Sequence, residues 1–205
     1  MYARTTTIEA MPSSVDAGIA YVREKVMPLL EGLEGHIGLS LLADRSSGRC
    51  ITTSAWESED AMRASEPAVR DVRSRATEIF GGGSPTVDEW EIAVLHRDHG
   101  AGEGALVRVT WANVNPAQVD SGIEVFKSAL PAMQDLGLCS ASLLVDRASG
   151  RGVSSMAFES ADAVERNRAE MDRLRGSVSE EAAAQISDEH DFELTIAHLR
   201  VPELA

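Results

Sequence analysis

Cysteine is almost missing from this chain: its 205 residues hold two, Cys50 and Cys139. Neither belongs to a CxxC pair or to a metal-ligand spacing, which excludes a zinc ribbon and a disulfide-stapled scaffold. Two reduced thiols in a cytoplasmic protein is the expectation, because structural disulfides are rare in that compartment. Positive charge is scarce as well. Lys plus Arg total 19 against 33 Asp plus Glu, a net charge of −14. Nucleic acid is therefore not an expected partner, since its binding relies on basic side chains that neutralise phosphates. Long apolar runs are also absent. Nothing reaches the roughly 18 residues of a membrane-spanning helix, and the opening Met1-Tyr2-Ala3-Arg4-Thr5-Thr6-Thr7 carries no signal-peptide run. No membrane partner is expected.

What is present suffices for a core, with 43% hydrophobic and 25% charged residues, and that balance excludes a disordered acidic chain. The charge is spread evenly. Residues 1–103 carry 10 basic and 17 acidic side chains and residues 104–205 carry 9 and 16, so each half is −7. This is a solvated acidic surface, with no segregated tail.

The chain is written twice. Pro12-Ser13-Ser14-Val15-Asp16-Ala17-Gly18-Ile19 recurs as Pro116-Ala117-Gln118-Val119-Asp120-Ser121-Gly122-Ile123, and Asp44-Arg45-Ser46-Ser47-Gly48-Arg49 as Asp146-Arg147-Ala148-Ser149-Gly150-Arg151. Trp56-Glu57-Ser58 recurs as Phe158-Glu159-Ser160, and Trp90-Glu91-Ile92 as Phe192-Glu193-Leu194, followed at equal distance by His96 and His198. The offset drifts only from 104 to 102. A period near 100 residues is a small domain, far longer than a solenoid repeat. The Gly-rich stretch 98–104 reads as a linker between copies at 1–97 and 105–205.

Within a copy the elements follow from period and punctuation. Residues 3–11 and 106–111 read as strands, and Val15, Ile19, Val22, Val26, Leu29 and Leu30 as one apolar helix face. Pro28 and Pro131 are expected to kink or end that helix. Strands 36–43 and 50–57 flank a hairpin in which Gly48 supplies a positive φ. Ser58 and Ser160 are expected N-caps, the second helix runs to about Phe80 before Gly81-Gly82-Gly83, and 88–96 is the last strand. The order β-α-β-β-α-β, twice, is a pair of ferredoxin-like folds. Helices cover only one face of each sheet, yet both strand parities are apolar. The fold class expected is therefore α+β, with two ferredoxin-like βαββαβ repeats packed sheet to sheet.

The stretch Gly35-His36-Ile37-Gly38-Leu39-Ser40-Leu41-Leu42-Ala43-Asp44, the motif Trp56-Glu57-Ser58-Glu59-Asp60-Ala61, and their counterparts Leu143-Leu144-Val145-Asp146 and Phe158-Glu159-Ser160 resemble the antibiotic biosynthesis monooxygenase family of the dimeric α+β barrel superfamily. The resemblance covers nearly the whole chain, as two tandem copies. It implies an intramolecular, pseudo-dimeric α+β barrel, as a monomer or a homodimer of pseudo-dimers. It also implies a cofactor-independent monooxygenase acting on a small aromatic or polyketide-like molecule. The alternative on the same scaffold is a non-catalytic binder of a small hydrophobic or aromatic molecule, or a structural module. Haem-degrading members of the family match at Trp56, but carry a strand asparagine where this chain has Thr6 and Thr110, and a helix histidine where it has Ser65 and Glu66. Haem is therefore not an expected cofactor; none is expected, and no metal.

The candidate site residues each carry a structural alternative. His96, His198 and His36 are candidate bases, because histidine alone titrates near neutrality unperturbed; otherwise they are ordinary strand-end residues. Trp56 and Phe158 are either core aromatics or stacking walls of a pocket. Arg4 and Arg108 share a first-strand position and are either edge charges or partners for an anion. Thr6, Thr110, Ser54 and Trp111 complete the candidate ligand-binding set. Trp111 faces Thr7, and Ser54 faces Met156, in the repeat alignment. That divergence implies one repeat kept a site while the other became scaffold.

Overall fold

A computed structural model gives the fold and describes residues 1–158 and 160–199. Glu159 of the second Trp-Glu-Ser-like motif and residues 200–205 of the second repeat lie outside the described residues.

The element order repeats as expected. The first set is β1 (Tyr2–Glu9), α1 (Val15–Tyr21), α2 (Met27–Glu31), β2 (His36–Ala43), β3 (Arg49–Trp56), α3 (Glu59–Ala64), α4 (Glu66–Ile79) and β4 (Thr86–Arg97). The second is β5 (Leu106–Asn113), α5 (Val119–Gln134), β6 (Leu138–Asp146), β7 (Arg151–Phe158), α6 (Ala161–Arg166), α7 (Arg168–Glu181) and β8 (Gln185–Leu199). The hydrogen-bonded strand order is β1-β3-β2-β8-β5-β7-β6-β4 and closes on itself, which is the topology of an eight-stranded α+β barrel. The fold class is α+β, as expected.

Local chemistry accounts for the punctuation. Ser58 Oγ accepts the Ala61 N–H at 3.1 Å and Ser160 Oγ the Ala163 N–H at 3.2 Å, so both serines cap their helices. Gly48 and Gly150 have φ of +84° and +77°, and a Cβ at either would lie about 2 Å from a backbone oxygen, of Ala10 and Val114. Only glycine fits there. Proline behaves differently in the two copies. A π-helical turn, Val22–Val26, separates α1 from α2 just ahead of Pro28, and widens the backbone where the ring would crowd a carbonyl. Around Pro131, α5 runs unbroken to Gln134.

The chain packs as two compact units: Met1–Trp90 with the strand end from Glu193 onward, and Glu91–Phe192. Packing and repeat boundaries thus differ, since β4 and β8 each change unit midway. In the first unit Trp90 Nε1 donates to Thr5 Oγ1 at 2.9 Å. From Glu91 on, β4 lies against β6, with Glu91 opposite Val145. The later part of β8 pairs with β2, with Ile196 opposite Leu41. The hairpin arginines, which read as solvated turn residues, hold these crossings. Arg147 donates to Glu91 and to Asp120, each at 2.6 Å, inside the second unit. Arg45 donates to Glu193 and, at 3.1 Å, to Asp16 inside the first.

Each unit has its own core between its helices and its part of the sheet. Trp56, Phe80, Met62, Leu39 and Val22 centre the first, and Phe126, Leu130, Leu138, Val145 and Phe158 the second.

Candidate functional site

Strand parity builds the site. In β5, Arg108, Thr110 and Ala112 point toward α5 and α7, and in β7 so do Ser154, Met156 and Phe158. With Leu143 and Val145 of β6 they floor a cavity of about 150 Å³ in the second unit. Its other walls are Ile123, Phe126 and Met133 of α5, Met171, Leu174 and Val178 of α7, and Ala182, Ala184 and Ile186 beyond α7. The equivalent space in the first unit, lined by Arg4, Thr6, Ser54, Val69 and Phe80 among others, is about 60 Å³.

Side chains at matching repeat positions explain the difference. Phe80 and Ala182 each close the C-terminus of the helix before the last strand, with N–H groups bonded at 2.9 Å to Ala76 O and Val178 O. Phe80 is fully buried, and its ring lies where a Cβ on Gly18 would be, 2.2 Å from that position. At Gly122 the same construction meets only the Ala182 Cβ, at 4.0 Å. Leu39 and Ile8 are likewise replaced by Ala141 and Ala112. Three methionines, Met133, Met156 and Met171, then line the space in the second unit. Their flexible thioethers suit an irregular or aromatic occupant.

The arginines differ too. Arg4 is 4% exposed and fully engaged: with Glu89 at 2.8 and 3.2 Å, with Ser65 Oγ at 3.1 Å, with Met62 O at 3.0 Å, and 3.4 Å from Glu66. Arg108 faces Asp191 through two hydrogen bonds, at 2.7 and 2.8 Å, and that pairing keeps its guanidinium charged. Around it Thr110 donates to Glu189 at 3.2 Å, and Arg175 pairs with Glu189 and with Asp172. Both Arg108 and Arg175 are thus paired with carboxylates at this edge of the cavity. Among the described residues the lining offers hydroxyls at Thr110, Ser154 and Ser179 and guanidiniums at Arg108, Arg151 and Arg175, and no histidine, carboxylate or thiol.

The structure therefore gathers part of the expected set. Arg108, Thr110 and Phe158 line the larger cavity, and Arg4, Thr6 and Ser54 the smaller. Trp56 is completely buried beside the small cavity's strand, with its Nε1 donating to Ser54 Oγ at 3.1 Å. Trp111 stands on the opposite parity of β5 from Thr110 and lines neither space. His36 meets the Trp56 ring edge-on with centroids 5.2 Å apart. His198 Nε2 lies 3.0 Å from Glu31, and His96 sits on β4 opposite Ala141. None of the three histidines lines either of these two cavities. Ser65 and Glu66 are taken up by the Arg4 and Arg73 network. No histidine stands on α3, α4, α6 or α7, so these residues do not fit a haem. Among the described residues no group of His, Cys, Asp and Glu converges as a metal site, and no helix is long and apolar enough to cross a membrane. Ala182, Gly122 and the three methionines carry no motif of their own in the sequence; the alignment of Phe80 with Ala182 is the signal that points to them.

No family model matches the chain. Two Mycobacterium tuberculosis proteins do. It is 57% identical over 206 residues to the uncharacterized protein Rv2557, covering 100% of this chain and 92% of that protein. It is 54% identical over 207 residues to the uncharacterized protein Rv2558, covering 100% and 87%. Among solved structures, an anthrone oxidase-like protein superposes with a TM-score of 0.70 at 14% identity, over 100% of this chain and 95% of that one. A ferredoxin-fold protein related to antibiotic biosynthesis monooxygenases, from Listeria monocytogenes, gives 0.57 at 10% identity over 96% and 95%. A monooxygenase-like protein from Listeria innocua gives 0.54 at 12% over 95% and 94%. Identities this low speak for the fold. The chain thus belongs to the family of the mycobacterial proteins Rv2557 and Rv2558, built on a monooxygenase-like ferredoxin fold shared with proteins related to antibiotic biosynthesis monooxygenases.

Proposed function

We propose that the chain is a cytoplasmic binding protein for a small aromatic or otherwise apolar molecule, held in the cavity of the second unit, with the first unit as scaffold. The observation that carries this reading is the pairing of a roughly 150 Å³ apolar cavity in one unit with a largely filled counterpart in the other. A cavity of that size, lined by apolar side chains, holds a small aromatic molecule. Arg108 and Arg175 at its edge are already paired with carboxylates, which supports a ligand whose body is neutral. The −14 net charge and the two unbridged, buried thiols support a small-molecule partner and a cytoplasmic setting over a nucleic-acid one. Titration with 2-naphthol, followed by its fluorescence, tests the reading. Saturable one-to-one binding supports it, and no binding to the folded chain contradicts it.

A second reading is a cofactor-independent monooxygenase. The anthrone oxidase-like neighbour, superposing over the whole chain, favours it. That chemistry needs a base that makes the substrate anion before oxygen adds. The carboxylates at the cavity's edge, Glu189 and Asp191, are engaged by Thr110, Arg175 and Arg108, which leaves them poor bases and favours binding without turnover as the reading adopted. Oxygen uptake in the presence of an anthrone-type phenol separates the two: sustained uptake by the pure protein favours the enzyme.

A further inference from the structure

Phe80 suggests what the cavity in the second unit is shaped to hold. Its phenyl ring is completely buried and lies on Gly18, in the angle between α1 and the end of α4. At the matching place in the second unit the backbone is kept: Gly122 on α5, and the helix-closing N–H of residue 182 bonded at 2.9 Å. Only the ring is gone, with Ala182 in its stead and open space above Gly122. Gly122 stands in the first turn of α5, at the position that matches Gly18; the first unit explains that choice, since a ring seated there leaves no room for a Cβ.

Building on the proposed binding function, we infer that Phe80 is an intramolecular occupant of the first unit's site, and that position 80/182 decides which unit binds. In the second unit an aryl ring of the ligand takes the place of the Phe80 ring, seated on Gly122. The group that follows the ring runs toward the hydroxyls of Ser154 and Ser179, both of which line the cavity. The first unit keeps a latent copy of the site, closed by its own side chain. The innermost part of the ligand is therefore an unsubstituted, neutral ring, because a charged or branched group there would meet only the apolar walls of α5 and α7.

The test exchanges the two residues in the full-length chain and counts sites by calorimetric titration with 2-naphthol. The wild type binds one equivalent. Ala182→Phe seats a ring over Gly122 and lowers affinity about tenfold or more, since the added ring overfills the space. Phe80→Ala, if folded, raises the count from one to two, and the double variant binds one equivalent again while leaving the second unit empty. Phe80→Ala leaves a void in the core that can unfold the chain, whereas Ala182→Phe makes no void and decides the matter alone. Wild-type-like binding by folded Ala182→Phe overturns the inference and leaves the binding function standing. Absence of binding to the wild type overturns both.

Discussion

Gly18 and Phe80 touch so closely that a Cβ on Gly18 would stand 2.2 Å from the Phe80 ring, whereas Gly122 and Ala182 leave 4.0 Å for the same atom. Opposite outcomes follow for one substitution made in the two repeats. Gly18→Ala forces Phe80 out of its place and costs about 1–3 kcal/mol by overpacking. Gly122→Ala meets nothing and gains about 0.5–1 kcal/mol of helix propensity. Urea denaturation of the two variants checks the pair, and equal effects would refute the asymmetry.

The hairpin glycines are less forgiving. At Gly48 the backbone has φ +84° and a Cβ would lie 2.0 Å from Ala10 O, which also sits in the β1 turn bonded to this hairpin. Gly48→Ala is expected to cost at least about 2 kcal/mol, from left-handed strain plus displacement of backbone. Gly83→Ala, where nothing lies within 4 Å, is the control and should change the thermal midpoint little.

Acid stability should depend on Glu66. Its hydrogen bonds from Arg73, with Arg4 and Arg70 nearby, hold the carboxyl below its ordinary value of 4.5. A depressed carboxyl stabilises the fold above the unfolded-state value, and that contribution is lost as pH falls through the lowered one. Glu66→Gln is therefore less stable than the wild type at pH 7, and the gap closes as pH drops below the ordinary value. Urea midpoints measured across pH 3–7 should converge at the acid end; a gap that widens there would contradict the sign.

Cys50 should be inert. Burial, aided by Glu9, pushes its thiol up to about 12, so no thiolate exists near neutrality. A thiol-reactive chromophore should label it only when urea unfolds the chain. Labelling at the rate of a free thiol under native conditions would refute its burial.

The architecture was readable because each signal stands twice in the sequence. Gly48 and Gly150 mark the hairpins, Ser58 and Ser160 the caps, and the paired order of elements the fold. The crossing of β4 and β8 between units was hidden, since nothing at Trp90–Glu91 breaks the strand. From Glu91 on the strand pairs with β6, and Glu91 also accepts from Arg147, 56 residues away in sequence. At the site, Arg108, Thr110 and Phe158 of the expected set line the large cavity, whereas Trp111, on the other parity of β5, does not. The aromatic signal at Trp56 drew notice to the filled unit, because an aromatic residue stands out in a sequence and a missing one does not. The cavity exists through what Ala182, Ala141 and Ala112 lack.

The most direct test of the site is NMR on the chain labelled at its methionine methyl groups, titrated with 2-naphthol. Ring-current shifts fall only where the ring sits. Met133, Met156 and Met171 line the large cavity, whereas Met62 is fully buried in the core of the first unit. The account predicts shifts at the first three and a still Met62. Shifts at Met62 with the other three unmoved would contradict it.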